Sequence, residues 1–158
     1  MSSFTTRLIV SPLPDGKTWQ LMEEFDYHIG AEDNPECIHV PKDFLTDFAS
    51  THWLQYAAIF LTVLYGSLAF LVDIPAWAGI IFLAVILAAI LITPYGKPGK
   101  AAVLHDWLYN CKVFSRKKSD QVFLEAMCVL KVAPWKRNLM YWGVRLFGFL
   151  AWKGKSGG

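Results

Sequence analysis

The sequence predicts an α+β protein: a small N-terminal antiparallel β-meander packed on a helical part, with a two-helix transmembrane hairpin inserted mid-chain. Three observations predict it. Apolar and polar residues alternate from Thr18 to Ile29, the period of a half-buried strand. Two long stretches, Leu54 to Val72 and Ala76 to Ile92, carry no charged side chain. Apolar residues recur at helical spacing after Ser115 and again after Pro134.

The strands come first. Arg7 to Leu13 is a short apolar run ending at Pro12 and Pro14, and Asp15-Gly16 is a turn signal. In the next run Trp19, Leu21, Phe25, Tyr27 and Ile29 share one face, with Glu23 the exception. Thr18, Gln20, Glu24, Asp26 and His28 share the other, so the two runs read as a hairpin. Gly30 to Pro35 is a loop, Cys37 to Val40 a third short strand ended by Pro41, and Phe44 to Thr51 an irregular or single-turn lead into the hairpin.

The membrane reading rests on charge. The chain of 158 residues is 54% apolar and 18% charged, against about 25% charged in a typical soluble domain. The deficit is local, since between His52 and Lys97 the one charged side chain is Asp73. As a helix, Leu54 to Val72 spans about 28 Å, near the thickness of a bilayer core. Ala76 to Ile92 is slightly shorter, and Trp53, Trp77 and Tyr95 stand at run ends, where aromatic rings favour the interface. The competing reading, two helices buried in a soluble core, asks the rest of the chain to enclose two all-apolar helices and build its own core. The turn at Asp73 to Pro75 has no Lys or Arg, whereas the flanks carry Lys42, Lys97 and Lys100. Both termini are therefore expected on the cytoplasmic side of a host inner membrane, or in a virion. The implied organisation is one discontinuous globular domain, residues 1–52 and 94–152, a hairpin over 53–93 and a flexible tail over 153–158. No cleaved signal peptide is expected, because the N-terminus is polar and the apolar runs are internal.

Beyond a loop from Thr93 to Gly99, Lys100 to Cys111 reads as a helix. Ser115 caps a further helix from Arg116 to about Lys131, with an apolar stripe of Val122, Phe123, Ala126, Met127 and Leu130. Pro134 suits the first turn of a last helix reaching about Trp152. That helix carries Leu139, Trp142, Leu146, Phe149 and Leu150, so it lies either against a bilayer surface or on the domain core.

Several function classes are excluded. The net charge of +2 is small, and no basic patch interleaves with aromatics, so nucleic acid is not an expected partner. The lipid bilayer, other phage proteins or a homo-oligomer are the expected ones. Cys37, Cys111 and Cys128 make neither a CxxC pair nor a zinc or disulfide pattern. Nucleophile elbow, P-loop, HExxH and dinucleotide motifs are missing.

Four polar stretches stand out: Val40 to Ser50 (VPKDFLTDFAS), His105 to Tyr109 (HDWLY), Ser115-Arg116 and Asp120. Together they resemble a family of unknown function found mostly in phages and prophages, with an N-terminal β-meander, VP-x-x-F-x-TDFAS, HD-x-LY, SR-x-x-x-D and an aromatic C-terminal helix. The matches are Val40-Pro41, Thr46 to Ser50, His105 to Tyr109 and Ser115 to Asp120. The departure is the apolar insertion between TDFAS and HD-x-LY, where the family has a short polar loop.

Those residues suggest two roles. His105 and Asp106 are adjacent on a helix and diverge by about 100°. If the next helix packs antiparallel, Asp120 approaches His105, fixes its tautomer and leaves it a better base. His105, Asp120 and Asp47 are then the catalytic candidates, and Asp106 is left to bind a metal. The motif looks like that of secreted calcium-dependent phospholipases, in which an HD-x-x-Y helix supplies base and metal ligand, so a divalent cation such as calcium is the implied cofactor. In the other role Asp47, Arg116 and Tyr109 form a structural polar cluster, because Asp47 lies between apolar residues and a buried carboxylate needs a partner. The functions that follow are a phage-associated membrane protein acting as a His/Asp-dependent hydrolase on envelope lipid or wall, or a non-enzymatic virion or membrane-anchoring component whose polar motif only stabilises the fold.

Overall fold

The computed structural model describes residues 2–30, 36–48, 52–72, 75–91 and 96–154. Its strands are β1 (Ser3–Phe4), β2 (Val10–Pro12), β3 (Trp19–Leu21), β4 (Phe25–Ile29), β5 (Glu36–Val40) and β6 (Leu45–Thr46). Its helices are α1 (His52–Leu71), α2 (Ala76–Leu91), α3 (Gly99–Cys111), α4 (Arg116–Val129) and α5 (Pro134–Gly154). Contacts divide the chain into two units, Met1–Ala49 with Pro94–Gly158, and Ser50–Thr93.

In the first unit the expected meander is two antiparallel three-stranded sheets, ordered β1-β4-β5 and β2-β3-β6. The β2–β3 hairpin pairs Val10 with Leu21 and Pro12 with Trp19. Its turn is held by Asp15, whose carboxylate accepts from the backbone N–H groups of Lys17 at 3.0 Å and Thr18 at 2.9 Å. Gly16 takes the positive φ of 67° that this turn requires. The single strand expected from Thr18 to Ile29 is instead two strands in different sheets. The break falls around Glu23, which stays exposed while Leu21, Phe25 and Tyr27 are buried. A continuous strand would have turned the Glu23 carboxylate into the core.

The helical side of the unit is α3, α4 and α5, with α4 packed on both neighbours. Ala101, Ala102, Leu104 and Leu108 of α3 and Val122, Phe123 and Met127 of α4 complete the core. Local chemistry sets the ends. Lys112 takes a left-handed conformation after α3 and returns its N–H to Leu108 O at 3.1 Å. Ser115 caps α4, its Oγ accepting from Lys118 N at 3.4 Å.

The second unit holds α1 and α2, the Tyr65 ring stacked on Phe82 at 4.5 Å. Here the membrane expectation is corrected: among the described residues no helix is long and apolar enough to cross a membrane. Over the described residues α2 runs from Ala76 to Leu91. α1 has 20 residues. Thr62, Gly66 and Ser67 lie within its length, and Ser67 Oγ bonds back to Val63 O at 2.9 Å. The transmembrane hairpin, the membrane location and the sidedness of the termini inferred from it lose their support.

Parts of the expected loops and turns (residues 31–35, 73–74 and 92–95), Ala49 and Ser50 of the TDFAS stretch and the tail from 155 onward lie outside the described residues.

Candidate functional site

The densest polar arrangement in the first unit forms around Asp120, which α4 carries into the interior with no solvent exposure. His105 and Tyr109 lie one helical turn apart on α3 and so share a face. Both reach the same carboxylate oxygen, His105 Nε2 at 3.0 Å and the Tyr109 hydroxyl at 2.6 Å from Oδ1. Arg145 of α5 donates through Nη1 to Oδ2 at 2.7 Å. One carboxylate thus collects donors from two neighbouring helices, α3 on one oxygen and α5 on the other. His105 is wedged between aromatic rings, its centroid 4.1 Å from Tyr109 and 4.7 Å from Phe123.

Electrostatics follow from this geometry. Burial by itself would raise the Asp120 carboxyl, but the hydrogen bonds from His105, Tyr109 and Arg145 outweigh it and hold the group below its ordinary 3.8. The Tyr109 hydroxyl moves up, first through burial and then through its bond to the Asp120 carboxylate. Arg145 is raised by the same carboxylate. Because an ionised carboxylate only accepts, His105 presents Nε2–H to it. Nδ1 is buried without a hydrogen-bond partner.

Arg116, at the start of α4, turns to α5, where Nη1 donates to the backbone carbonyls of Val144 at 3.4 Å and Arg145 at 3.1 Å. The cation bonded to Asp120 is Arg145. Gly148 completes this contact: a Cβ there would lie 2.6 Å from the Tyr109 hydroxyl, so the bare backbone lets α5 close over Tyr109.

A second buried tie joins β6 to α3. The Thr46 hydroxyl donates to Asp106 Oδ2 at 2.6 Å and accepts from Phe48 N at 3.1 Å. Phe48 has a φ of 54°, an uncommon left-handed conformation for a bulky residue, and its side chain is buried. Asp47 is half-buried in the same turn.

Of the four polar stretches singled out in the sequence, the first meets the second through Thr46 and Asp106, and the second meets Asp120 through His105 and Tyr109. The arrangement does not fit a metal ion. Asp106 is 2% exposed and bonded to Thr46, and among the described residues no three His, Cys, Asp or Glu side chains gather to hold one. Sequence reasoning missed Arg145, Gly148 and the Thr46 hydroxyl. A glycine inside a long helix was the available signal, since it costs about 1 kcal/mol relative to alanine unless close approach requires it.

Fold and site together define an α+β protein whose helical layer is joined by a buried His–Asp–Tyr–Arg node. Residues 67–144 match the model of a family described as a protein of unknown function (DUF1353). His105, Tyr109, Arg116 and Asp120 fall inside that stretch, while Thr46, Arg145 and Gly148 fall outside it. No curated protein matches the chain, and no solved structure does.

Proposed function

We propose that this protein is a non-enzymatic structural component, of the phage or prophage assemblies to which its motifs point, and that the Asp120 node is a lock holding its helical layer. The observation that carries this reading is closure: His105 is 2% exposed and Asp120 0%. A general base must come within hydrogen-bond reach of its substrate, and here the imidazole lies under Tyr109 and Phe123. Asp120 is engaged by donors on both oxygens, the arrangement of a satisfied buried carboxylate. The test compares the wild-type chain with His105→Ala for hydrolysis of phospholipid and peptidoglycan and for thermal unfolding. The expected result is no hydrolysis by either protein and a lower Tm for the variant. Hydrolysis by the wild type that His105→Ala abolishes at unchanged Tm would overturn it.

A second reading, a His/Asp-dependent hydrolase of envelope lipid or wall, draws on one observation. His105 is oriented through Nε2 while Nδ1 has no hydrogen-bond partner, which leaves a nitrogen able to accept a proton. Using it requires the node to open by movement of α5, whose Arg145 and Gly148 close it.

A further inference from the structure

The α1–α2 pair turns its large side chains outward. Ile59, Phe60, Val63, Trp77, Ile80 and Leu83 are 60–70% exposed. Among the described side chains the helices meet where Tyr65 stacks on Phe82 and where Gly79 admits the Tyr65 hydroxyl, a Cβ there falling 2.9 Å from it. Neither helix contains Asp, Glu, Lys or Arg. The uncovered apolar surface is on the order of 1,000 Å² per copy, above the roughly 300–600 Å² of the largest patch on a typical monomer.

We infer that the α1–α2 pair is a homotypic assembly face, which packs against the same pair of a second copy of this chain to form a four-helix core. Area is the first argument. A stable interface buries about 800 Å² per partner, and this pair has that surface to give. Charge is the second. In a two-fold contact each face meets itself, and a face without charged groups meets its copy without repulsion. The exposed face of α5 contrasts with it. Trp135, Trp142 and Leu146 are also exposed there, but the ionic side chains of α5 are all cationic: Lys136, Arg137, Arg145 and Lys153. Two copies of α5 would repel, so α1–α2 is the self-complementary surface. Lipid is the competing cover, and the test below separates the two.

The test is the mass of the full chain in detergent-free buffer, by sedimentation velocity across a wide range of concentration. A dimer is expected, and Ile80→Glu with Leu83→Glu should convert it to monomer at unchanged far-UV helical signal. A second measurement guards against a variant that fails to fold: a photo-crosslinking amino acid at Phe60 or Ile80 should join two differently tagged wild-type-like copies through this pair. A monomer at every concentration overturns the inference. So does a dimer that these sites neither crosslink nor disrupt, or a chain that stays dispersed only as a monomer bound to detergent or phospholipid vesicles.

Discussion

Asp120→Ala removes the acceptor shared by donors from α3 and α5, and its cost follows from what each donor loses. His105 and Tyr109 are each 2% exposed, so neither Nε2–H nor the hydroxyl gains water in exchange. A buried donor left unpaired costs about 1–3 kcal/mol. The Arg145 side chain is 24% exposed, so water takes over part of its solvation and its share is held to about 1 kcal/mol or less. The expected loss is about 2–7 kcal/mol, a large part of a domain stability of about 5–15 kcal/mol. Urea unfolding at neutral pH, followed by tryptophan fluorescence, measures it. A double-mutant cycle with Tyr109→Phe should give a coupling of about 1–2 kcal/mol, because both changes act on one hydrogen bond. A loss below about 1 kcal/mol, the size of an ordinary surface substitution, would refute the reasoning. So would independent behaviour of the two variants.

Acid should erode the same contribution. The folded Asp120 carboxyl lies below its ordinary 3.8, so its stabilisation is complete above that value and is lost as pH falls through the lower folded one; the stability gap between wild type and Asp120→Asn should close over this window in an acid titration of unfolding. Gly148→Ala would ordinarily stabilise a helix, but here its Cβ meets the Tyr109 hydroxyl, so a loss of about 1–3 kcal/mol is expected. In a Tyr109→Phe background that penalty should shrink or reverse, and equal penalties in both backgrounds would show that the contact is not the cause. Thr46→Val removes the hydroxyl that bonds Asp106 and Phe48 while keeping the shape, and should cost about 1–3 kcal/mol in thermal unfolding; Thr46→Ser should recover most of it.

The legible parts of the fold were those written in local chemistry. Ser115 and Pro134 mark helix starts because a hydroxyl caps free N–H groups and proline fits a first turn. α3, α4 and α5 accordingly begin within a residue of expectation. Strands β1 and β6, of two residues each, are too short to show a period. The division of β3 from β4 left one trace, Glu23 on the apolar face, since Leu21, Phe25 and Tyr27 keep the same phase across it. The approach of His105 to Asp120 was legible because both motifs lie on consecutive helices. Arg145 was not. Arg116, expected in a cluster with Asp47 and Tyr109, turns its guanidinium to the carbonyls of α5, and sequence spacing does not choose among Arg116, Arg137 and Arg145. The membrane expectation rested on charge-free length, whereas among the described residues no helix is long and apolar enough to cross a membrane.

The Thr46–Asp106 bond closes a long stretch of chain. The two residues are separated by 60 positions, most of them in the second unit, Ser50–Thr93. Closing a loop costs entropy that grows only logarithmically with its length, about 0.6 kcal/mol for each doubling. A long insertion is therefore little harder to close than a short one, and a few buried hydrogen bonds offset the difference. Among the described residues these hydrogen bonds join β6, α3, α4 and α5 to one another. Replacing Ser50–Thr93 by a flexible Gly/Ser linker should consequently leave the first unit folded, with Asp120→Ala and Thr46→Val as costly in the shortened protein as in the full chain. The measurement is urea unfolding of both forms. If the shortened chain lacks a cooperative transition, or if either substitution becomes neutral in it, the lock depends on the second unit and the independence argued from these hydrogen bonds is wrong.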